Sequence, residues 1–216
     1  ALTLVLVQHM HAITDPRRVG ELLRAIDGYK GLNITRAALQ LAPLFFVRPG
    51  ELRHAEWNEF HLDAAEWRIP SDRIKRTKQE KASGAPHIVP LSRQALAILE
   101  DLKPYSGQGR YVFPSLRTRE RPSSDNARLS ALRRMGFPKD EMTGHGFRAM
   151  ARTLLAERLG LDDAVIEAQL AHAVRDSLGR AYNRTEFMAQ RREMMQAWAD
   201  YLDKLRISEV SSLKAA

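Results

Sequence analysis

The sequence contains no cysteine, which excludes disulfide bonds, thiolate zinc sites and cysteine nucleophiles. It also lacks a long hydrophobic run. The opening ALTLVLV has no basic residue before it, is too short to span a bilayer and does not have the layout of a signal peptide. HExxH, Walker and GxSxG motifs are absent, as is a carboxylate pair suited to two magnesium ions. These absences exclude the commonest metal-dependent, nucleotide-dependent and serine-based chemistries.

Acidic residues are in the minority. The chain of 216 residues has 34 Lys and Arg against 26 Asp and Glu, so its formal net charge is +8. A basic surface attracts polyanions, because each phosphate that it neutralises releases condensed counterions. The balance is typical of a nucleic-acid-binding protein, although a merely soluble basic surface has the same composition.

Helical patterns dominate the chain. Asp15 is placed as an N-cap ahead of Pro16, the run ITRAALQLAPLFFVR predicts a buried helix bent at Pro43, and a new helix is predicted to begin at Pro49. From Ser92 onward the apolar spacing is helical almost to the end, in SRQALAILEDL, SSDNARLSALRRM, HGFRAMARTLLAERL, DDAVIEAQLAH, DSLGRAYN and EFMAQRREMMQAWADYLDKL.

Three short β-prone segments interrupt this pattern, around residues 60–62, 67–70 and 87–91. Between the last two lies DRIKRTKQEKASGA, a polar stretch with more basic than acidic residues, typical of an exposed hairpin. The sequence therefore predicts one mainly α domain with a small antiparallel three-stranded β-sheet.

Two arginines are candidates for binding a phosphate. Arg48, in VRPGEL, stands at a predicted helix start, where free backbone N–H groups favour an anion. In TGHGFRAMARTLL, His145 and Arg148 are three residues apart, which places both on one helix face. Gly144 and Gly146 permit close backbone approach there, so the segment offers a bidentate phosphate clamp beside a group that titrates near neutral pH.

A nucleophile and a proton donor complete the set of candidates. His172 closes DDAVIEAQLAH, and a turn after it would bring Tyr182 back toward it. Lys75 lies in the basic hairpin, from which a lysine could reach a leaving oxygen. Tyr182 would attack a phosphodiester to form a covalent phosphotyrosine, with arginines stabilising the charged transition state. His145 could take the phenolic proton, and Lys75 could protonate the leaving 5′ oxygen.

These residues, in this order, resemble the tyrosine recombinase (phage integrase) family, in particular the catalytic domain of prophage and genomic-island integrases that insert beside tRNA genes. The blocks that carry the resemblance are LQLAPLFFVRPGELRHAEW, WRIPSDRIK, PHIVPLSRQALAIL, GRYVFPSLRTRERPSSDN, MTGHGFRAMARTLLAE, IEAQLAHAVRD and AYNRTEFMAQRREMMQAWADYLD. The resemblance implies the catalytic-domain fold of the DNA breaking-rejoining enzymes. It also implies a catalytic set of Arg48, Lys75, His145, Arg148, His172 and Tyr182, with Glu51 supporting the first arginine.

The hairpin departs from the family pattern because RTKQEKASGAP is long, which leaves Lys78 and Lys81 as rivals to Lys75. The resemblance implies no metal, nucleotide or redox cofactor. The implied partners are double-stranded DNA attachment sites and further copies of the protein in a synaptic tetramer. No membrane is implied, and the location is the bacterial cytoplasm, with the nucleoid.

The expected organisation is a residual linker or processed segment at 1–12, a catalytic domain at 13–207 and a tail at 208–216. A C-terminal helix at 186–207 carries a stripe of Met194, Trp198, Tyr201, Leu202 and Leu205. The stripe would dock on a neighbouring protomer or pack on its own domain.

The leading hypothesis is a site-specific recombinase that integrates or excises a mobile element through a 3′-phosphotyrosine. The alternatives are a type IB topoisomerase-like nicking and resealing enzyme and a non-catalytic DNA-binding module.

Overall fold

The structure, a computed structural model, describes residues 11–74, 84–172 and 187–213. Its helices are α1 (Pro16–Asp27), α2 (Asn33–Phe45), α3 (Pro49–Arg53), α4 (Arg93–Ser106), α5 (Asp125–Arg134), α6 (Gly146–Glu157), α7 (Asp163–Gln169) and α8 (Met188–Leu213). Its strands are β1 (Phe60–His61), β2 (Glu66–Ile69) and β3 (His87–Pro90). The mainly helical class with a small sheet is confirmed. Within the described ranges, no helix combines the length and the apolar character that crossing a membrane requires.

The three strands form one antiparallel sheet in the order β1-β2-β3. Trp67 and Ile69 of β2 are buried whereas Arg68 between them is exposed, as expected for a sheet with one covered face. The Trp67 ring stacks on Phe60 with centroids 5.0 Å apart and lies 5.3 Å from Phe45, at the end of α2. This aromatic cluster fixes the sheet against the helical core.

Helix α1 begins where the sequence predicts, because a side chain accepts a hydrogen bond from a backbone N–H that has no partner within the helix. The Asp15 carboxylate accepts a hydrogen bond from the Arg18 backbone N–H at 2.9 Å, and Pro16 is the first residue of α1. The apolar stripe that follows, Val19, Leu22, Leu23 and Ile26, is buried and faces α2 and α8.

The chain reverses sharply between α2 and α3. α2 continues through Pro43 to Phe45, and Phe46 then adopts a left-handed conformation with φ 37°. Arg48 is extended and Pro49 opens α3, as the sequence predicts. The reversal brings the Phe46 carbonyl and the Arg48 side chain to the same end of the domain.

The C-terminal helix packs on its own domain. It begins at Met188 and ends at Leu213, so it continues through most of the stretch that the sequence assigns to a tail. Met194, Trp198 and Leu202 of its apolar stripe are buried. The Trp198 Nε1 donates to the Pro43 carbonyl at 2.8 Å, and its ring meets Phe46 edge-on at 6.4 Å. Of the two expectations for this stripe, packing within the same chain is the one observed.

Replacing Trp198 with alanine is expected to lower the free energy of unfolding by about 3–5 kcal/mol, because a large core side chain is lost and the Pro43 carbonyl loses its donor. Ile207, on the same helix, is exposed, so Ile207→Ala should change the free energy by less than about 0.5 kcal/mol. Urea unfolding of both variants measures the difference. Equal, small changes would mean that the helix does not pack on this domain in solution.

Candidate active site

Arg48 is held at the start of α3 by the acid that follows it. The Glu51 carboxylate accepts from the Arg48 backbone N–H at 2.8 Å and from its Nη1 at 2.9 Å. The Glu51 side chain is buried, and that of Arg48 is one-fifth exposed. The supporting role predicted for Glu51 fits this geometry. Part of the Arg48 side chain therefore remains accessible to an anion.

Arg148 is buried on α6 and is oriented by backbone carbonyls. Its Nη1 donates to the Phe46 carbonyl at 3.0 Å and its Nη2 to the Leu170 carbonyl at 2.8 Å. Burial and, to a smaller extent, the positive charge of Arg48 lower the pKa of Arg148 to about 10, although Glu51 and Glu167 act in the opposite direction. The group is still cationic at neutral pH. Arg48 and Arg148 place two positive charges close together. Among the described contacts, only Arg48 is hydrogen-bonded to a carboxylate, so the pair favours an anionic ligand.

Both carbonyls that hold Arg148 lie at strained chain reversals. Phe46 has φ 37° and Ala171, which follows Leu170, has φ 50°. Left-handed backbone at a non-glycine residue costs roughly 1–2 kcal/mol. Such strain tends to be retained where it places functional groups, and here it aims two carbonyl oxygens at one guanidinium.

His172 contacts Arg148 directly. Its Nε2 lies 3.1 Å from the Arg148 Nη2, and its Nδ1 lies 2.5 Å from Oε2 of Glu167. A guanidinium only donates hydrogen bonds, so Nε2 must be the acceptor and the ring proton must be on Nδ1, facing Glu167. The ring is half-exposed and is therefore accessible to a ligand beside Arg148.

Glu167 was not identified from the sequence. α7 ends in a Schellman-type turn in which the His172 N–H bonds to the Glu167 carbonyl at 3.1 Å and the Ala171 N–H to the Ala168 carbonyl at 3.2 Å. The same residue thus holds both the backbone and the ring of His172. The usual signal for this turn, a glycine in the left-handed position, is missing because Ala171 occupies it.

His145 is the N-cap residue of α6, one turn before Arg148, and it is exposed to solvent. The glycine after it is required by close packing. A Cβ on Gly146 would lie 2.7 Å from the His11 carbonyl oxygen and 2.8 Å from the Met142 sulfur. The close approach at Gly146 is therefore made by other parts of the same chain, and the approach of a ligand at this helix start stays a prediction.

The structure brings together Arg48, Arg148 and His172, with His145 at the same end of α6. Lys75, its rivals Lys78 and Lys81, and Tyr182 lie outside the described residues. Across the described ranges, no group of three or more His, Asp or Glu side chains is arranged to hold a metal ion. The described part of the site offers two guanidinium groups and an oriented imidazole, a set suited to a phosphate.

The amino-acid sequence of this chain is similar to that of integrases. Residues 13–188 match the sequence model of the phage integrase family. The integrase of Enterobacteria phage P4 is 41% identical over 218 residues, which cover 98% of this chain and 49% of that protein. Prophage integrase IntA of Escherichia coli (strain K12) is 41% identical over 166 residues, which cover 77% of this chain and 38% of that protein. The chain thus spans half or less of the length of these relatives.

Solved structures share the fold. XerA recombinase superposes with a TM-score of 0.56 at 19% identity, covering 81% of this chain and 60% of that one. A lambda integrase dimer bound to a COC′ core site has a TM-score of 0.54 at 19% identity, covering 86% of this chain and 49% of that one. A lambda integrase tetramer bound to a Holliday junction has a TM-score of 0.53 at 18% identity, covering 82% and 51%.

Proposed function

Since the chain belongs to the phage integrase family of tyrosine recombinases, we propose that it contains the catalytic site of a site-specific DNA recombinase that integrates or excises a mobile element. The observation that carries the proposal is the convergence of Arg48, Arg148 and His172 from three separate parts of the chain. The catalytic domain is proposed to begin near Ile13.

The proposed reaction is a metal-independent phosphoryl transfer. The Tyr182 oxygen attacks the scissile phosphorus, a phosphotyrosine bond forms, and the bond to the 5′ oxygen breaks. His145 helps to remove the phenolic proton, and Lys75 gives a proton to the departing 5′ oxygen. No bond energy is lost, because the protein–DNA ester can be attacked by the 5′ hydroxyl of another strand.

The arginines act on the phosphate, and His172, whose Nε2 accepts from Arg148 and whose ring proton faces Glu167, holds Arg148 in place. Negative charge accumulates on the non-bridging oxygens as five-coordinate phosphorus forms, and preorganised donors stabilise it without reorienting. Arg148 is already held by two carbonyls, and Glu167 already orients the His172 ring. The site therefore meets the transition state with its donors in position.

The partner proposed for the protein is double-stranded DNA, consistent with the net charge of +8. Arg117, Arg119 and Arg121 are exposed on one loop, which is closed by a hydrogen bond of 2.7 Å from the Ser115 N–H to the Arg121 carbonyl. Arginines on such a loop suit contacts to backbone phosphates, which position a protein on DNA more than they select sequence.

Self-association on DNA into a synaptic tetramer is also proposed. Lambda integrase is described both as a dimer on a core site and as a tetramer on a Holliday junction. The stripe on α8 centred on Trp198 is buried in its own domain, so contact between protomers would use other surfaces or require α8 to move.

Covalent trapping tests the proposed function. A suicide substrate carries a nick beside the scissile phosphate, so that a short fragment diffuses away and the adduct accumulates. With DNA from the ends of the element, we expect a protein–DNA adduct whose peptide map contains Tyr182. An adduct at another residue, or none, contradicts the proposal. Relaxation of plasmids that lack any attachment sequence would instead favour the topoisomerase-like alternative.

The hairpin lysine can be identified by changing the leaving group. Lys75→Ala is expected to slow adduct formation by about 100-fold on an ordinary substrate, through loss of general-acid catalysis. A substrate with sulfur as the 5′-bridging atom should be cleaved at a near-normal rate by the same variant, because a thiolate departs without a proton. If Lys78→Ala shows this pattern and Lys75→Ala does not, the assignment passes to Lys78.

A further inference from the structure

Arg191, near the start of α8, is a buried cation outside the phosphate-binding group. It is only 2% exposed. Its Nε and Nη2 donate to the Gln169 Oε1 at 3.0 and 2.6 Å, and Nη2 also donates to the Ile88 carbonyl. We refer to Arg191, Gln169, His87 and Ile88 as the Arg191 junction.

The Arg191 junction buries a positive charge, which is unfavourable in free energy. Burial lowers the pKa of Arg191 to about 10, and within the described residues no carboxylate is hydrogen-bonded to it. The buried Nε2 of Gln169 also finds no acceptor among the described residues. Replacing buried ionic groups by well-packed apolar side chains of similar volume is often neutral or stabilising. The charge is thus better explained by what it holds in place than by stability.

The junction joins three elements at the edge of the candidate site. Gln169 ends α7, and its backbone carbonyl bonds to the Nε2 of His87, the first residue of β3, at 3.0 Å. The next residue, Leu170, supplies a carbonyl that holds Arg148, and His172 follows two residues later. Fixing Gln169 therefore fixes two of the contacts that Arg148 makes.

The neighbouring Arg192 makes a contrasting set of contacts. Its Nη1 donates to the Ala64 carbonyl at 3.1 Å and its Nη2 to Glu66 Oε1 at 2.5 Å, and its side chain is 40% exposed. Arg192 therefore ties the same turn of α8 to the sheet at the surface, away from Gln169. It offers a matched control for charge and position in the chain.

We propose that Arg191 is a positioning residue for strand cleavage: it clamps the end of α7 to β3 and α8, so that the Leu170 carbonyl and the His172 ring stay in contact with Arg148. This rests on the proposed recombinase function. Because Arg191 is buried, it is not expected to contact DNA, so its loss should lower the rate of the chemical step and leave DNA affinity unchanged.

The test compares Arg191→Met combined with Gln169→Leu against Arg192→Met. The double variant removes the buried charge and the amide together, so its Tm should stay within about 4 °C of the wild-type value. At saturating DNA, its single-turnover rate of adduct formation should fall by about 10- to 100-fold, since small displacements in a reacting site carry losses of that size. The Kd for DNA should be unchanged, and Arg192→Met should be normal in all three measurements.

A wild-type rate of adduct formation in the double variant overturns the inference and leaves the proposed function intact. A lower rate of adduct formation that returns to the wild-type value at saturating DNA also overturns the inference. Absence of adduct with the wild-type protein overturns the proposed function, and this inference with it. If the double variant unfolds at the assay temperature, the rate of adduct formation is measured for Arg191→Lys instead. It keeps the charge but loses the planar fork that reaches Gln169 and Ile88 together, so its rate should fall in the same way.

Discussion

Replacing Tyr182 with phenylalanine is expected to abolish covalent trapping on the suicide substrate while leaving DNA binding unchanged. The substitution removes one oxygen atom, the only one in the side chain that can form the phosphotyrosine. The aromatic ring is kept, so no general loss of stability is expected. The measurement is the amount of protein that migrates with labelled DNA after denaturation, together with a binding titration of the native protein.

A second tyrosine provides the control for this experiment. Tyr201 is partly buried in α8, and its ring stacks on Trp198 with centroids 5.9 Å apart. Burial raises the pKa of its hydroxyl, which makes the group a poorer source of phenolate. Tyr201→Phe should therefore trap DNA like the wild-type protein. An adduct of normal yield in the Tyr182 variant would exclude Tyr182 as the nucleophile.

Substituting Arg148 is expected to have the second-largest effect. Arg148→Lys keeps a positive charge on α6 but replaces five donors in a plane by a single ammonium group. One ammonium cannot hold the Phe46 and Leu170 carbonyls at 3.0 and 2.8 Å, stay beside His172 and also bind phosphate. We expect cleavage at saturating DNA to slow by about 100- to 1,000-fold, the range for losing a preorganised oxyanion donor.

The comparison that isolates this effect is Arg152→Lys, one turn further along α6. Arg152 is 40% exposed and pairs with Asp163 and Glu167 at 3.2 Å. Exposed ion pairs of this kind contribute roughly 0–1 kcal/mol, so cleavage by this variant should change little. Near-normal cleavage by both Arg148→Lys and Arg148→Ala would remove Arg148 from the active site.

Local features of the fold could be predicted because their causes lie within a few residues. Asp15 was recognisable as a helix cap, and its carboxylate accepts a hydrogen bond from the backbone N–H three residues on. The strands were placed to within about a residue or two, since β-prone segments were bounded by turn residues. The predicted start of the C-terminal helix, residue 186, is close to the observed start at Met188. The predicted end, residue 207, falls short of Leu213, because the apolar stripe that indicates the helix stops before the helix does.

The support of the candidate site could not be predicted in the same way. Glu167 holds His172 through a turn that uses Ala171 where glycine is usual, so its sequence signal is absent. Arg191 lies at the spacing of the apolar stripe, three residues before Met194 and seven before Trp198, but a charged residue type gives no sign of what would bury it. Its partners are Gln169, 22 residues away, and Ile88, 103 residues away. No pattern within a single helix encodes such contacts.

The sequence by itself determined the kinds of residue available, their order and the local elements that carry them. Side-chain chemistry, helix caps and apolar spacing act over a few residues and need no knowledge of the rest of the chain. Only the tertiary structure decided that Arg48, Arg148 and His172 meet, that α8 packs on its own domain, and that buried carbonyls aim the guanidinium of Arg148. These outcomes depend on packing between distant segments, where burying a polar group is tolerated only if another part of the chain supplies its partner.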